Sequence, residues 1–262
     1  MNTSLKNKTA LVAGSTAGIG YATAKMMAEM GADVVLIARN AEKLNAVSLE
    51  LKQISTGSHS VLKADFSDPE GLEKAVKAYF DEGGRADILV NNTGGPPGGP
   101  AHTAHKDEFR SAFEMHLICN HILATACIPS MRESGWGRII NVISTSVKQP
   151  LTNLGVSNTV RGAVANWAKT LSNELGPFGI TVNNVLPGAT HTGRLTSIAE
   201  AKAKKSDITP EEALRKMAEA VPLRRVAAPE EVAAGICFLA SPAASYINGI
   251  NLPVDGGRTG SL

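Results

Sequence analysis

Short apolar runs alternate along this chain with longer segments whose apolar positions recur every three or four residues. The run at 33–38 is apolar at every position after its first, which is typical of a parallel strand covered on both faces. The pattern predicts strands at 9–13, 33–38, 60–64, 87–90, 138–143, 180–186 and 250–254. It predicts helices at 21–30, 69–82, 106–132, 154–175 and 229–240. We therefore expect an α/β fold with a doubly wound parallel sheet and helices on both faces.

Three glycines lie between the first predicted strand and the helix that follows it, at Gly14, Gly18 and Gly20. Glycine adopts backbone conformations that other residues avoid, and it lets a phosphate approach the main chain. The helix N-terminus behind such a turn has unpaired N–H groups and about half a positive charge, which favours a bound anion. Because the turn opens a βαβ unit, we predict a nucleotide-binding site here.

The residue that follows the second predicted strand bears on the choice of nucleotide. An acidic residue in this neighbourhood would bond the ribose 2′-hydroxyl of NAD, whereas an arginine can pair with the 2′-phosphate of NADP. Ala38 provides no acid, and Arg39 comes next. We expect NADP(H) to be preferred, although NAD(H) can also be bound. An ordinary solvated arginine is the alternative interpretation of Arg39.

Residues suited to ligand binding or catalysis follow the ends of the predicted strands. A glycine- and proline-rich loop at 95–100 follows the fourth strand, and Ser144 follows the fifth. Open α/β sheets bind ligands at the carboxyl ends of their strands, so both features are expected to border a ligand site. Ser157 and Arg161 lie one turn apart on the next helix and therefore point in similar directions near the same strand end.

Residues 189–226 interrupt the alternation of strands and helices. Thr209 and Pro210 signal the start of a helix, and we expect a lid-like insertion beyond the sixth strand, within a single domain spanning 1–262. The basic residues of this segment are Arg194, Lys202, Lys204, Lys205, Arg215, Lys216, Arg224 and Arg225. One interpretation is an anionic substrate, such as a carboxylate or an acyl thioester. The other is a solvated helical surface balanced by nearby glutamates.

Composition narrows the function classes. With 262 residues, 43% of them apolar, the chain can form one large domain, and its net charge of +2 with dispersed basic residues does not indicate nucleic-acid binding. No apolar run reaches the roughly 20 residues of a membrane-spanning helix, and residues 1–6 lack the apolar core of a signal peptide. Cys119, Cys127 and Cys237 lack metal-ligand spacing. We expect free thiols in a reducing cytoplasm, with no metal site and no membrane partner.

Several motifs together resemble the short-chain dehydrogenase/reductase family over essentially the whole chain, and in particular its 3-oxoacyl-[acyl-carrier-protein] reductase-like members. The matching positions are 14–20, Asp65, 91–94, Ser144, Pro187, Gly188, Thr192 and 254–257. The resemblance implies a Rossmann-type sheet of about seven strands, a homotetramer or homodimer that pairs through its long helices, and a nicotinamide dinucleotide across the strand ends. The cofactor-binding residues that it implies, together with the glycine turn and Arg39, are Gly14, Ser15, Thr16, Gly18, Ile19, Gly20, Arg39, Asp65, Phe66, Asn92, Thr93, Gly94, Arg161, Pro187, Gly188 and Thr192.

The catalytic residues of that family are only partly present. The family uses a Ser, a Tyr, a Lys four residues after the Tyr, and an Asn from the preceding long helix. Ser144 matches the Ser, but the resemblance places Ser157 at the Tyr position, Arg161 at the Lys position and His116 at the Asn position. The resemblance therefore implies an atypical active site.

The replacements change what the site can do with a proton. Arg161 can keep a ribose-binding and electrostatic role, but an arginine does not exchange a proton near neutral pH. Ser157 lacks the acidity of a phenol. An unperturbed imidazole titrates near about pH 6.5, so His116 is a candidate general acid or base through water. A structural histidine with a satisfied hydrogen bond is the alternative, and Ser144 remains a candidate to bond a substrate carbonyl.

Three functions are compatible with these residues. The first is an NADP(H)-dependent oxidoreductase that interconverts a carbonyl and an alcohol of a small molecule by hydride transfer, with a non-standard proton-transfer apparatus. The second is a catalytically impaired protein that binds the dinucleotide as a sensory or structural ligand. The third is a different reaction in the same cleft, such as hydrolysis or isomerisation, in which His116 and Ser144 act.

Overall fold

The computed structural model describes residues 1–261 and contains the expected seven-stranded parallel sheet. Its strands are β1 (Thr9–Ala13), β2 (Asp33–Ala38), β3 (His59–Lys63), β4 (Ile88–Asn91), β5 (Gly137–Val142), β6 (Ile180–Pro187) and β7 (Asn251–Val254). Their spatial order is β3-β2-β1-β4-β5-β6-β7. The direction of winding reverses between β1 and β4, so the carboxyl ends of these two strands open the crevice in which such sheets bind ligands.

Helices cover both faces of this sheet. They are α1 (Gly18–Glu29), α2 (Ala41–Ile54), α3 (Pro69–Asp81), α4 (Lys106–Phe113), α5 (Cys119–Ser134), α6 (Gly155–Leu175), α7 (Gly193–Ser206), α8 (Pro210–Glu219) and α9 (Pro229–Ala240). Thr209 caps α8 as predicted, and its hydroxyl accepts a bond from the Glu212 backbone N–H. The pattern did not predict α2 and α7, whose starts are capped by Asn40 and Thr192.

The single helix predicted at 106–132 is wrong in one respect. A π-helical turn at Glu114–Ile118 separates α4 from α5, and His116 lies within it. Such turns insert an extra residue into an otherwise regular helix and occur frequently at functional sites. Because the turn changes the direction in which the following side chains point, helical periodicity alone could not place His116 relative to the sheet.

The two faces of the sheet pack against different helices, as strand periodicity requires. On β1, Ala10 and Val12 join the core formed with α1, α2 and α9, whereas Leu11 and Ala13 join the core formed with α3, α5 and α6. All four residues are fully buried. Because both faces of the sheet are covered, the strands appear in the sequence as continuous apolar runs.

A row of asparagine side chains crosses four neighbouring strands of the sheet. Asn91 donates to Asn141 at 2.9 Å, Asn141 donates to Asn184 at 3.0 Å, and Asn184 donates to Asn251 at 2.8 Å. These residues are also backbone partners in the parallel ladder. Since buried amides are costly without partners, the row favours a single register for β4 to β7. It thereby sets the relative positions of the loops that follow β4, β5 and β6.

Candidate active site

The glycine turn between β1 and α1 has the geometry that only glycine accommodates. Gly14 and Gly18 have φ values of +62° and +56°. A Cβ on Gly20 would overlap the Gly14 carbonyl oxygen, and one on Gly14 would lie 2.6 Å from the Asn92 carbonyl oxygen. Ala17 precedes α1 without a side-chain cap, and the first turn of α1 has no acidic residue. The turn therefore leaves the positive end of α1 open to an anion.

The other residues predicted within this turn have different surroundings. Ser15 is fully buried, and its hydroxyl donates to the Ile37 carbonyl oxygen at 3.4 Å, which ties the turn to β2. Thr16 is half-buried, and Ile19 packs against the core on the α1 face of the sheet. Both the hydroxyl and the backbone N–H of Ser15 thus bond the Ile37 carbonyl oxygen, whereas the half-buried Thr16 can present its side chain.

A cationic and an anionic side chain lie at one end of the crevice, after β2 and β3. Arg39 is exposed at the end of β2. Asp65, after β3, accepts bonds from the Ser67 N–H at 3.0 Å and the Ser67 hydroxyl at 2.8 Å. These bonds, with a smaller contribution from the charge of Arg39, hold the pKa of Asp65 below its usual value. Phe66 is half-buried against α3 and α5, and its carbonyl accepts the Cys119 thiol.

The segment after β4 connects the glycine turn to the middle of the crevice. Asn92 donates to the Ala13 carbonyl oxygen at 3.2 Å. Thr93 Oγ1 and His116 Nδ1 share a hydrogen bond of 2.7 Å. Gly94 is exposed, and a side chain there would meet open space. The three residues predicted on this segment therefore line the crevice between the glycine turn and the π-helical turn.

His116 does not have the environment of a titrating imidazole. It is 1% exposed, and its Nε2 has no hydrogen-bond partner among residues 1–261. Burial, followed by the nearby charge of Arg161, lowers the pKa of His116 to about 3. The expectation of a group that titrates near neutrality is therefore wrong, because the folded chain removes water from the ring and places a cation beside it. At neutral pH His116 is an uncharged imidazole held by Thr93.

Ser144 follows β5, and Arg161 bonds the last residue of that strand. The Ser144 hydroxyl accepts a bond from the Ser146 N–H at 3.1 Å, and its own proton is left to donate. Arg161 is 7% exposed, and its Nη1 donates to the Val142 carbonyl oxygen at 2.9 Å. Burial, followed by the charge of Arg194, lowers the pKa of Arg161 to about 10, so the guanidinium stays charged at neutral pH. Ser157, one turn earlier on α6, is half-buried.

The segment after β6 closes the opposite side of the crevice. Pro187 is the last residue of β6, and the Gly188 N–H donates to the Val254 carbonyl oxygen at 3.0 Å. Thr192 caps α7, and its methyl carbon would lie 2.9 Å from a Cβ placed on Gly18. The start of α7 thus lies directly across from the glycine turn.

Two contacts at the crevice had no signal in the sequence. Arg194 Nη2 donates to the Pro96 carbonyl oxygen at 2.5 Å, which connects α7 to the loop after β4. Asn158 holds the segment before α6 by accepting from the Leu151 N–H at 3.4 Å and donating to the Leu151 carbonyl oxygen at 2.9 Å. Since the partners of Arg194 are 98 residues away in the chain, no local pattern could have identified this bond.

Two broader predictions concern metals and membranes. Among residues 1–261, no group of three or more His, Cys, Asp or Glu side chains is arranged to hold a metal ion. Within the same residues, no helix has the length and hydropathy needed to cross a membrane. The three cysteines are free and buried.

Comparisons with known proteins agree with this architecture. Residues 13–259 match the family described as Enoyl-(Acyl carrier protein) reductase. The NADPH-dependent reductase BacG of Bacillus subtilis (strain 168) is 31% identical over 262 residues, covering 98% of this chain and 100% of the relative. The 7alpha-hydroxysteroid dehydrogenase of Escherichia coli (strain K12) is 32% identical over 262 residues, covering 100% of this chain and 98% of the relative.

A solved structure extends the similarity to three dimensions. L-sorbose reductase from Gluconobacter frateurii, crystallised with NADPH and L-sorbose, is 32% identical and superposes with a TM-score of 0.93 over 100% of both chains. This chain and the Gluconobacter reductase thus share one fold over their whole length. The chain belongs to the short-chain dehydrogenase/reductase family.

Proposed function

We propose that this chain is an NADP(H)-dependent oxidoreductase that interconverts a carbonyl and an alcohol by hydride transfer, with a non-standard proton-transfer apparatus. The observation that carries the proposal is the glycine turn. A Cβ on Gly20 would overlap the Gly14 carbonyl oxygen, and the N-terminus of α1 has no side-chain cap, so the turn leaves this helix end open to a phosphate. The NADPH dependence of the Bacillus relative and the NADPH complex of the Gluconobacter reductase support it.

The residues of the crevice fit such a cofactor from one end to the other. The backbone of the glycine turn would hold the diphosphate, Arg39 the 2′-phosphate, and Asp65 the adenine. Asn92, Thr93 and Gly94 would line the middle, and Pro187, Gly188 and Thr192 the nicotinamide end. The bound nicotinamide supplies the hydride.

Ser144 and Arg161 would act on the substrate oxygen. Ser144 is positioned at the end of β5 with a free hydroxyl proton and would donate a hydrogen bond to the carbonyl. The buried charge of Arg161 would stabilise the negative charge that develops on that oxygen. Neither Ser157, Arg161 nor neutral His116 releases a proton readily at neutral pH, so we assign the proton to solvent water. A positioned acid contributes about 10²- to 10⁴-fold, and reduction should accordingly be slow.

The lack of a titrating acid in the crevice favours a second candidate function. A crevice without a titrating acid, next to an intact cofactor cradle, also suits a protein that binds the dinucleotide as a sensory or structural ligand. Oxidation of NADPH by a ketone distinguishes the two, because a sensor binds NADPH without consuming it. A hydrolase or isomerase has less support, since His116 bonds Thr93 and its Nε2 has no partner within the described chain.

Three further expectations belong to this proposal. We propose a single domain over 1–262 in which residues 189–226 act as a lid over the crevice.

We also propose a homotetramer or homodimer that pairs through the long helices. The exposed side chains of Phe113 and Ile118, at 41% and 36% on the α4 to α5 segment, support this pairing. The free buried thiols are compatible with the cytoplasmic location expected from the sequence.

Replacing Arg39 tests the cofactor assignment. Arg39→Ala should weaken NADPH binding by about 10- to 100-fold and leave NADH binding nearly unchanged, because it removes a charged bond to the 2′-phosphate alone. Titration followed by tryptophan fluorescence or calorimetry measures both constants. Arg85→Ala, at an exposed arginine before β4, is the matched control. Equal losses for the two nucleotides would contradict the role given to Arg39.

Replacing Ser144 tests the site of chemistry. Ser144→Ala should lower the rate of NADPH oxidation by a ketone by about 10²-fold, because one hydrogen-bond donor to the developing oxyanion is lost. NADPH affinity should stay within about twofold of the original. Steady-state rates and a parallel NADPH titration provide the two readouts. An unchanged rate would remove Ser144 from the mechanism.

A further inference from the structure

The structure separates the basic residues of segment 189–226 into two groups. Most of them belong to the solvated surface: Arg215 and Lys216 pair with glutamates of α8, and Arg225 pairs with Glu231 of α9. Arg194 differs, because its guanidinium crosses to the loop after β4 and donates to the Pro96 carbonyl oxygen. The guanidinium of Arg194 is therefore held against the loop after β4, although the residue as a whole is exposed.

The contacts of Arg194 place its charge next to the loop that follows β4. A Cβ on Gly95 would lie 3.6 Å from both Nε and Nη2 of Arg194. Gly95 and Pro96 directly follow the segment in which Thr93 contacts His116. The anion site at the start of α1 is formed by different residues, those of the glycine turn. Arg194 thus places a cation beside Gly95 and Pro96, in the loop that follows the residues proposed to line the cofactor.

Arg161 supplies a second cation that the protein does not neutralise. Its guanidinium is almost fully buried, yet within residues 1–261 neither Arg161 nor Arg194 forms an ion pair with a carboxylate. The two cations are close enough for Arg194 to lower the pKa of Arg161. Burying the charge of Arg161 without a carboxylate partner is costly, and the like charge of the exposed Arg194 adds to the attraction for an anion.

We infer that the substrate is a carbonyl compound that also carries a carboxylate, which Arg194 binds while the buried charge of Arg161 adds to the attraction. This inference rests on the proposed function, because it concerns the substrate of that site. Arginine binds carboxylates through two parallel N–H···O bonds, and the remaining donors of Arg194 are suited to this geometry. Ser144 would take the carbonyl oxygen of the same molecule. The carboxylate thus serves recognition and takes no part in the hydride step.

The test compares acids with their uncharged esters on the NADPH-loaded protein. Pyruvate, acetoacetate and levulinate, each against its methyl ester, place the carboxylate at three distances from the ketone. Binding is measured by calorimetry and reduction by loss of NADPH absorbance. We expect at least one acid to bind about 10- to 100-fold more tightly than its ester, with the preference falling as salt is raised.

Two variants assign that preference to Arg194. Arg194→Gln keeps a donor for the Pro96 carbonyl but removes the charge, so it should bring the acid-to-ester ratio close to one without changing NADPH affinity. Lys202→Gln removes an exposed charge from the same helix and should keep the ratio. Thermal unfolding of each variant verifies that the fold is intact.

The outcomes that overturn the inference are distinct from failure of the proposed function. Equal binding of acids and esters, or binding of neither class, would overturn it even if the protein binds NADPH. Weaker NADPH binding by Arg194→Gln would show that the anion is a cofactor phosphate, which also overturns it. Absence of NADPH binding by the unaltered protein would instead refute the proposed function.

Discussion

Restoring the side chains that the family uses is expected to raise carbonyl reduction by about 10²- to 10⁴-fold, which is the contribution of a well-placed general acid. The variant combines Ser157→Tyr, Arg161→Lys and His116→Asn. A phenol ionises near about pH 10, and a neighbouring lysine ammonium lowers that pKa further, so the tyrosine can deliver a proton that a serine hydroxyl cannot. The measurement is the steady-state rate of NADPH oxidation with a ketone.

The structure indicates that the three changes can be accommodated together. Ser157 is half-buried on the first part of α6, so a larger side chain at this position has room to extend towards the crevice. Arg161→Lys keeps a cation next to the end of β5, and His116→Asn keeps a polar group within reach of Thr93.

A variant with phenylalanine in place of tyrosine provides the control. Ser157→Phe, combined with the same two other changes, has nearly the size of the tyrosine but no hydroxyl, so it should show no increase in rate. If the tyrosine and phenylalanine variants fold, bind NADPH and turn over equally slowly, proton transfer does not limit this site. The proposed account of its chemistry would then be wrong.

Gly20→Ala is expected to lower NADPH affinity by more than about 10³-fold, equivalent to about 4 kcal/mol. The added Cβ would overlap the Gly14 carbonyl oxygen, and backbone cannot yield as a flexible side chain does. The turn must therefore open, which displaces the first N–H groups of α1 from a bound phosphate. Calorimetric titration with NADPH measures the loss, and urea unfolding measures the accompanying loss of stability.

Another helical glycine provides the matched comparison. Gly162 lies within α6, and a Cβ there would meet nothing within 4 Å. Gly162→Ala should leave NADPH affinity unchanged and stabilise the fold by up to about 1 kcal/mol, because alanine favours the helix. Normal NADPH binding by Gly20→Ala would mean that the turn is not the phosphate site.

The residues proposed to bind the cofactor and those proposed to act on the substrate lie in different parts of the crevice. The glycine turn, Arg39 and Asp65 occupy one half, where we propose that the dinucleotide binds. Ser144 and Arg161 occupy the other half, where burial sets the properties of the charged group. Under the proposed function, changes at Ser144 would alter chemistry without loss of the cofactor, which is why both an enzyme and a sensor were compatible with the sequence.

The hydrophobic pattern and the turn residues were enough to predict the seven strands, most of the helices and the position of the glycine turn, but not α2 and α7. Strand runs that are apolar throughout predict a parallel sheet covered on both faces, and proline or threonine at helix starts marks several boundaries. These signals are local, because periodicity and capping involve residues a few positions apart. The π-helical turn at Glu114–Ile118 was missed, since one inserted residue leaves almost no trace in the hydrophobic pattern.

The properties of the polar residues in the crevice depend on the folded chain. The sequence indicated an imidazole at His116, but its pKa depends on water that the fold excludes and on Arg161, which lies far along the chain. Arg194 appeared as one of many basic residues, and its bond to Pro96 separates it from the others. Desolvation and the interaction between charges depend on groups that are close in space and distant in sequence, so they are properties of the fold and not of any local pattern.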